Sequence, residues 1–122
     1  MSETRLASNT GLYRTRDLIG CRVESPRGEH LGTVEDFVID LGEGFVAAAV
    51  LELGSRSDAG GRRVAVPISC LGYDPLEKKC LLNLTKDVLE RAPFGAGDWP
   101  EPIDRVWAAE IYSHFGGVPY WY

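Results

Sequence analysis

The residue types that bind metals or transfer protons are concentrated in one stretch of the sequence, HLGTVEDFVIDLGEG at residues 30–44. It holds one histidine and four carboxylates: His30, Glu35, Asp36, Asp40 and Glu43. On a helix, residues four apart share a face, so Asp36 and Asp40 could bind one ion together. On a strand, the rise of about 3.3 Å per residue would separate them by roughly 13 Å. The secondary structure of this stretch therefore decides whether it is a candidate site.

The neighbouring residues favour a strand. Val34, Phe37, Val38 and Ile39 are β-branched or aromatic, and turn-forming PRGE and LGEG flank the stretch. The spacing of the apolar residues changes between Val34 and Phe37, which predicts a β-bulge or a strand buried on both faces. Asp40 would then cap the following turn through its side chain. We predict a structural strand here, with no metal ligands and no catalytic residues.

The rest of the chain from Ile19 shows short apolar segments separated by turn residues. The further segments are IGCRVES, FVAAAVLEL, RRVAVPI and CLLNL. Their β-branched composition and close spacing predict five or six strands that close or half-close into a small barrel. The fold class is therefore mainly β.

Helix signals come only after Leu84. Thr85 is placed to cap a short helix, KDVLERA, which Pro93 would end. Asp104 is placed to cap a second helix, which Gly116 would end. One face of that helix carries apolar residues at helical spacing: Ile103, Trp107, Ile111 and Phe115.

Composition narrows the class of protein. The 122 residues suffice for one compact domain, and the net charge of −5 argues against a nucleic-acid partner. The sequence shows no apolar stretch of transmembrane length and no secretory leader, which predicts a cytoplasmic protein. Each of the three cysteines (Cys21, Cys70 and Cys80) has apolar neighbours, and none has the spacing of a metal site, so we interpret them as buried thiols. No cofactor is predicted.

Several segments together resemble the PRC-barrel family, in their order and spacing. They are LIGCRV, GEHLGTVEDFVID, VAVP and LTKDVLERAP, and the tail VWAAEIYSHFGGVPYWY resembles the C-terminal extension of stand-alone bacterial members. The resemblance implies a barrel of about six strands that acts in docking or assembly, with no common catalytic activity. It divides the chain into a flexible lead-in (1–16), a PRC-barrel-like domain (17–93) and a C-terminal extension (94–122) with a linker, a helix and an aromatic tail, packed on the barrel or at an interface.

Two better-known relatives within that family differ from this chain. The photosynthetic reaction-centre H subunit is anchored by a membrane helix, and no segment of this sequence has that character. The ribosome maturation factor RimM carries a separate N-terminal domain, for which residues 1–16 are too short. Neither specific role can therefore be assigned to this chain. The resemblance to RimM leaves an RNA- or ribosome-associated factor as a third, less favoured hypothesis.

Aromatic residues near the C-terminus are the main candidates for protein interaction. They are Tyr112, Phe115, Tyr120, Trp121 and Tyr122. Aromatic side chains concentrate binding energy at interfaces. The structural alternative is that the helix residues hold the helix on the barrel and the tail folds back beside it. If the tail paired with a second copy instead, a homodimer would follow.

A glycine-rich loop, SRSDAGGRR, brings Arg56 close in sequence to Arg62 and Arg63, which together could contact an anion or nucleic acid. The loop has no phosphate-binding pattern and joins two strands, so a solvated hairpin loop is the simpler interpretation. Ser69 and Cys70 have no histidine near them in sequence to activate a nucleophile.

These features predict a non-catalytic protein-binding or assembly module with an unidentified protein partner. The alternative is a module that responds to a small molecule or a metal ion bound at the barrel mouth or at a dimer interface. An enzyme would need a clustered site, which the sequence does not display.

Overall fold

The structure is a computed structural model that describes residues 11–54, 62–93, 99 and 102–121. In chain order its elements are α1 (Thr15–Leu18), β1 (Arg22–Glu24), β2 (His30–Asp40), β3 (Phe45–Leu53), β4 (Arg62–Pro67), a 3-10 turn (Ile68–Cys70), β5 (Leu71–Asp74), β6 (Lys79–Leu82), α2 (Lys86–Glu90) and α3 (Arg105–Phe115).

The strands form one six-stranded sheet in the order β4-β3-β2-β1-β6-β5. Neighbouring strands are antiparallel except for β1 and β6, which run parallel. The sheet curls into a half-barrel whose end strands, β4 and β5, are joined by the 3-10 turn. The prediction of a mainly β chain with a small barrel of about six strands is confirmed.

Residues 30–40, which hold the histidine and three of the four carboxylates, form strand β2, as predicted. In the antiparallel pairing with β3, Val34 pairs with Leu51 and Asp36 pairs with Val50. Two steps along β2 therefore correspond to one step along β3. Glu35 is therefore the extra residue of a bulge, which explains the change of apolar spacing in the sequence. A second irregularity lies on the partner strand at Ala47, between the pairs Val38–Ala48 and Ile39–Val46.

Strands β3 and β4 are buried on both faces. Their inner face belongs to a cluster of mainly branched side chains, here called the inner cluster, whose members include Val23, Val34, Leu51, Val64, Val66, Leu82 and Leu89. Their outer face belongs to the outer cluster, which consists of Ala48, Ala65, Trp107, Ala108, Ile111 and Tyr112. Because the strands contribute only alanines to the outer cluster, the large side chains of α3 can pack close to the sheet.

The two predicted helix caps are confirmed. Thr85 Oγ1 accepts a hydrogen bond from the Val88 amide at 3.2 Å, and Asp104 Oδ1 accepts one from the Trp107 amide at 3.0 Å. Gly116 ends α3 in the left-handed conformation, with φ 69°. Helix α2 ends at Glu90, earlier than Pro93.

Two elements were not predicted from the sequence. Strand β5 covers LGYD, whose glycine and aspartate are typical of turns, and it is a strand because it pairs with β6. Helix α1 is a single turn within TRDL, where no strong capping residue announces it.

Candidate functional site

The aromatic residues of α3 are mainly structural. Tyr112 is only 3% exposed, and its hydroxyl donates a 2.7 Å hydrogen bond to the carbonyl of Ala47. Ala47 lies at the second irregularity of the hairpin, where a carbonyl can leave the strand ladder. Burial raises the pKa of Tyr112 to about 12. Phe115 is half-buried and packs against both the inner and the outer cluster.

The tail residues fold back onto the same molecule. The Tyr120 ring stacks on Phe45 with centroids 4.5 Å apart and 9° between the planes, and Trp121 meets Tyr112 edge-on at 5.1 Å. Both side chains are partly buried. The fifth predicted interaction residue, Tyr122, lies outside the described residues. The described part of the tail thus has the intramolecular arrangement that was the structural alternative.

A polar network fastens the tail to the end of β2. Asp40 Oδ2 accepts from the Tyr120 hydroxyl at 2.6 Å and from Arg105 Nη1 at 2.9 Å. Asp40 Oδ1 accepts from the Glu43 amide at 3.1 Å, which is the turn-capping role predicted for it. The Arg105 guanidinium also lies 4.9 Å from the centre of the Trp121 ring, a cation–π distance.

The protonation of this network follows from its hydrogen bonds. The bond from Tyr120, together with those from the Glu43 amide and Arg105, holds the pKa of Asp40 below its usual value. Partial burial and the bond to Asp40 raise the pKa of Tyr120 to about 12. At neutral pH the carboxylate is therefore charged and the phenol neutral, the combination that the short hydrogen bond needs.

Beside this network lies a cleft of about 450 Å³ between the end of the β2–β3 hairpin and the start of α3. Its polar lining includes Asp104 and three residues of the network, which are Asp40, Arg105 and Tyr120. Its apolar rim, here called the hairpin-end surface, consists of Ile39, Leu41 and Ile103, which are 50%, 88% and 39% exposed. Exposed apolar side chains that surround a cleft with polar groups in its lining mark a candidate binding site.

Trp107 also lines the cleft and is 2% exposed. Its indole Nε1 is buried and has no hydrogen-bond partner among the described residues. The ring of Trp99 packs against the Trp107 ring with the centroids 5.3 Å apart, and Asp104 accepts a hydrogen bond from the Trp107 backbone amide.

Sequence reasoning missed the cleft. Its rim comes from two segments that are more than 60 residues apart in the chain, Ile39 with Leu41 and Ile103. One local signal was available, since Leu41 is a large apolar residue in a turn otherwise made of glycine and glutamate. Arg105 gave no local signal, because its importance depends on Asp40.

The two loop arginines that the structure describes, Arg62 and Arg63, both have partners within the protein. Arg62 donates through Nη2 to the carbonyl of Ala92 at 2.8 Å and through Nη1 to that of Glu90, so it caps the end of α2. Arg63 forms an ion pair with Glu35 at 3.6 Å. Arg56 lies outside the described residues, so the structure does not bring the three arginines of the predicted anion contact together.

The cysteines and His114 also have structural surroundings. Cys21 and Cys80 are in side-chain contact, and burial raises the pKa of Cys80 to about 12. Cys80 is buried as predicted, whereas Cys21 and Cys70, the latter on the 3-10 turn, are only partly buried. His114 Nε2 lies 2.9 Å from the carbonyl of Val88, which joins α3 to α2. Among the described residues, no group of three or more histidine, cysteine or acidic side chains is arranged to hold a metal ion.

None of the described helices is long and apolar enough to cross a membrane. In comparisons with known proteins, the chain matches the PRC-barrel domain family over residues 11–89. No curated protein matches it. The matched segment is more than half of the chain and contains all six strands, so the chain belongs to the PRC-barrel domain family. The match ends before α3, which supplies one side of the cleft.

Proposed function

We propose that this PRC-barrel protein is a non-catalytic docking module that binds another protein through the hairpin-end surface. The observation that carries the proposal is the exposure of Ile39, Leu41 and Ile103 around one cleft. Each exposed apolar side chain has a free-energy cost in water that a bound protein would remove by covering it. Tyr120 of the tail lines the cleft and, through its hydrogen bond to Asp40, helps to hold the wall of the cleft in place.

The wall is prepared for binding before any partner arrives. The hydrogen bonds of Asp40 with Tyr120 and Arg105 fix the end of β2 against the start of α3. The stacked ring of Phe45 supports the same corner. A surface that is already ordered loses little conformational entropy on binding, which favours affinity.

The charges around the cleft restrict the partner. Asp40 and Arg105 neutralise each other, whereas Asp104 adds a carboxylate and Glu43 a second one on the adjacent turn. The surroundings are therefore weakly acidic. A partner segment that is apolar and either uncharged or basic fits this surface better than an acidic one.

The test compares two exposed leucines on different hairpin turns. Leu41→Asp places a charge in the hairpin-end surface, and Leu76→Asp does the same on the β5–β6 turn, where Leu76 is 77% exposed. Proteins captured from the native lysate after nuclease treatment are quantified for the intact protein and both variants. We expect a partner that Leu41→Asp loses and Leu76→Asp retains, while all three proteins keep the same melting temperature.

Two results would overturn the proposal. One is full capture of the same proteins by Leu41→Asp, and the other is an equal loss with Leu76→Asp. Sedimentation velocity of the same three samples identifies a second copy as the partner, because the intact protein would then dimerise and Leu41→Asp would not.

A second function, a module responding to a small molecule, is favoured by another cleft. This cleft of about 590 Å³ lies between the β1–β2 turn and α2, and Leu84 and Val88 are among its lining residues. A ligand bound there would raise the melting temperature with the logarithm of its concentration above Kd. A thermal-shift screen in which no compound does so would count against this function.

A further inference from the structure

Two of the three cysteines meet where β1 pairs in parallel with β6. Cys80 of β6 pairs with Val23 of β1, and Cys21 lies two residues before Val23. The chain is already in the sheet at Cys21, because its carbonyl accepts a hydrogen bond from the Val34 amide at 3.0 Å. Side chains two residues apart on an extended strand share a face, so Cys21 and Val23 are both directed to the side on which Cys80 lies.

The two thiols are in direct contact. The thiol of Cys80 is hydrogen-bonded to the sulfur of Cys21, and Cys21 Sγ in turn donates to the carbonyl of Asp17 at 3.2 Å. A disulfide forms only where two cysteine side chains can meet without movement of the backbone. Thiols that already touch need side-chain rotation, not a shift of the strands, to form the bond.

The exposure of the two side chains gives them different roles. Cys80 is 0% exposed, whereas Cys21 is only partly buried, so a reagent in solution reaches Cys21 first. Burial raises the pKa of both thiols, that of Cys80 to about 12, and the hydrogen bond from Cys80 counteracts this effect at Cys21. Cys21 is therefore the thiol that ionises first, and the thiolate is the form that reacts.

We propose that Cys21 and Cys80 are an oxidative modification site, at which a small-molecule disulfide converts the two thiols into a crosslink between β1 and β6. The inference goes beyond the proposed docking function and does not depend on it, because the hairpin-end surface lies at the β2–β3 turn and the start of α3. It assigns chemistry to a pair of side chains that docking does not use.

The reaction proceeds through a mixed disulfide, with oxidised glutathione as the representative oxidant. The Cys21 thiolate attacks one glutathione sulfur, the glutathione S–S bond breaks, and one glutathione thiolate leaves. Cys80 then loses its proton to water and attacks the Cys21 sulfur from the protein interior, and the second glutathione thiolate leaves into solvent. The protein gives up two electrons and two protons, and the oxidant takes up both to become two molecules of reduced glutathione.

The crosslink would act on the fold as a whole. It joins residues that are far apart in the chain, so it removes many conformations from the unfolded state and stabilises the folded one. Folding and crosslinking therefore favour each other, and the folded protein should form the bond more readily than the unfolded chain does.

The test equilibrates the intact protein with defined ratios of reduced and oxidised glutathione, once folded and once unfolded in urea. Free thiols are then blocked at acidic pH, and the peptides are identified by mass spectrometry. We expect the folded protein to give a Cys21–Cys80 crosslinked peptide with Cys70 recovered as a blocked thiol. The equilibrium constant for the crosslink should be at least about tenfold larger in the folded protein than in urea.

Three matched variants separate the two steps. Cys80→Ala should stop at the mixed disulfide, with glutathione on Cys21, because no second thiol is in contact. Cys21→Ala should leave Cys80 as a free thiol. Cys70→Ala is the control and should crosslink as the intact protein does. If Cys80→Ala does not fold, the comparison of folded and unfolded intact protein still decides the question.

Three free thiols in the folded protein under excess oxidised glutathione would overturn the inference. So would a crosslink to Cys70 at the same yield, or an equilibrium constant no larger in the folded protein than in urea. None of these results bears on docking, because the capture experiment with Leu41→Asp is performed with all three thiols reduced.

Discussion

The two faces of strands β3 and β4 are buried by different means. On the inner face, branched side chains such as Leu51, Val64 and Val66 interlock with residues from β1, β6 and α2. On the outer face, Ala48 and Ala65 form a smooth surface on which α3 lays Trp107 and Tyr112. The strand supplies the bulk in the first case, and the helix supplies it in the second.

The inner face belongs to the barrel fold, and the outer face carries the layer that forms the candidate binding site. The family match covers every strand and therefore the sheet side of both clusters, but it ends before α3 and the tail. The strand residues of the inner cluster thus lie within the segment that matches the family. The cleft needs the outer layer, so we expect specificity to vary there while the barrel stays the same.

The largest expected effect comes from breaking the sheet itself at Gly32. Its two strand neighbours are Val23 and Leu53, and an added Cβ would lie 2.1 Å from the carbonyl oxygen of Glu52. Because that obstacle is backbone, we expect Gly32→Ala to destabilise the protein by about 3 kcal/mol or more. Denaturant unfolding followed by far-UV circular dichroism measures it.

The matched control is Gly42→Ala in the β2–β3 turn, where the nearest atom to a new Cβ is Asp40 Oδ1 at 3.5 Å. It should change stability by no more than about 0.5 kcal/mol. A Gly32→Ala protein with the unfolding midpoint of the intact chain would show that the sheet can shift at this point.

A smaller effect is expected when the outer face is overfilled. Ala65→Leu adds bulk under α3, where Ala65 is 1% exposed, and should cost about 2 kcal/mol. Because the inner cluster is untouched, we expect the near-UV signal of the outer aromatics to weaken while the far-UV spectrum of the sheet persists. Ala109→Leu, on the exposed side of α3, is the control and should leave both spectra unchanged.

Tyr112→Phe removes one hydrogen bond between the two layers. The hydroxyl bonded to the Ala47 carbonyl disappears, and a buried carbonyl loses its partner. We expect a loss of about 1.5 kcal/mol in the free energy of unfolding, with the fold intact. An unchanged unfolding curve would mean that water replaces the hydroxyl at this position.

The smallest effect concerns the tail and its pH dependence. Since the folded pKa of Asp40 is lowered, its contribution to holding the tail is complete above the ordinary carboxyl pKa and is lost as the pH falls through the lowered value. The indole resonance of Trp121 in the intact ¹⁵N-labelled protein should therefore move towards its unfolded position at acidic pH before the sheet unfolds. Asp40→Asn should remove this pH dependence, and a profile identical in both proteins would contradict it.

Much of the fold follows from local sequence patterns. The bulge at Glu35 was visible as a change in apolar spacing, and Thr85 and Asp104 were identifiable as caps because capping depends on neighbours three residues away. Strand β5 was not predictable in this way. Its residues become a strand only through pairing with β6, which local composition does not encode.

The candidate site was less accessible from sequence for the same reason. The turn-capping role of Asp40 is local and was predicted, but its second oxygen binds Arg105 and Tyr120, which lie 65 and 80 residues further on. The C-terminal aromatics stand out in the sequence as a group. Their division into core, tail and cleft residues depends on α3 packing against the outer face, which the sequence pattern alone did not determine.

The parallel pairing of β1 with β6 sets an order of events during synthesis. The β2–β3–β4 and β5–β6 hairpins join strands that are close in the chain and can form within microseconds. Val23 of β1 can pair with Cys80 of β6 only after β6 has been synthesised. The edge of β1 that faces β6 therefore stays unpaired until most of the chain has left the ribosome. Closing so long a loop is entropically costly, and we expect this step to limit the folding rate.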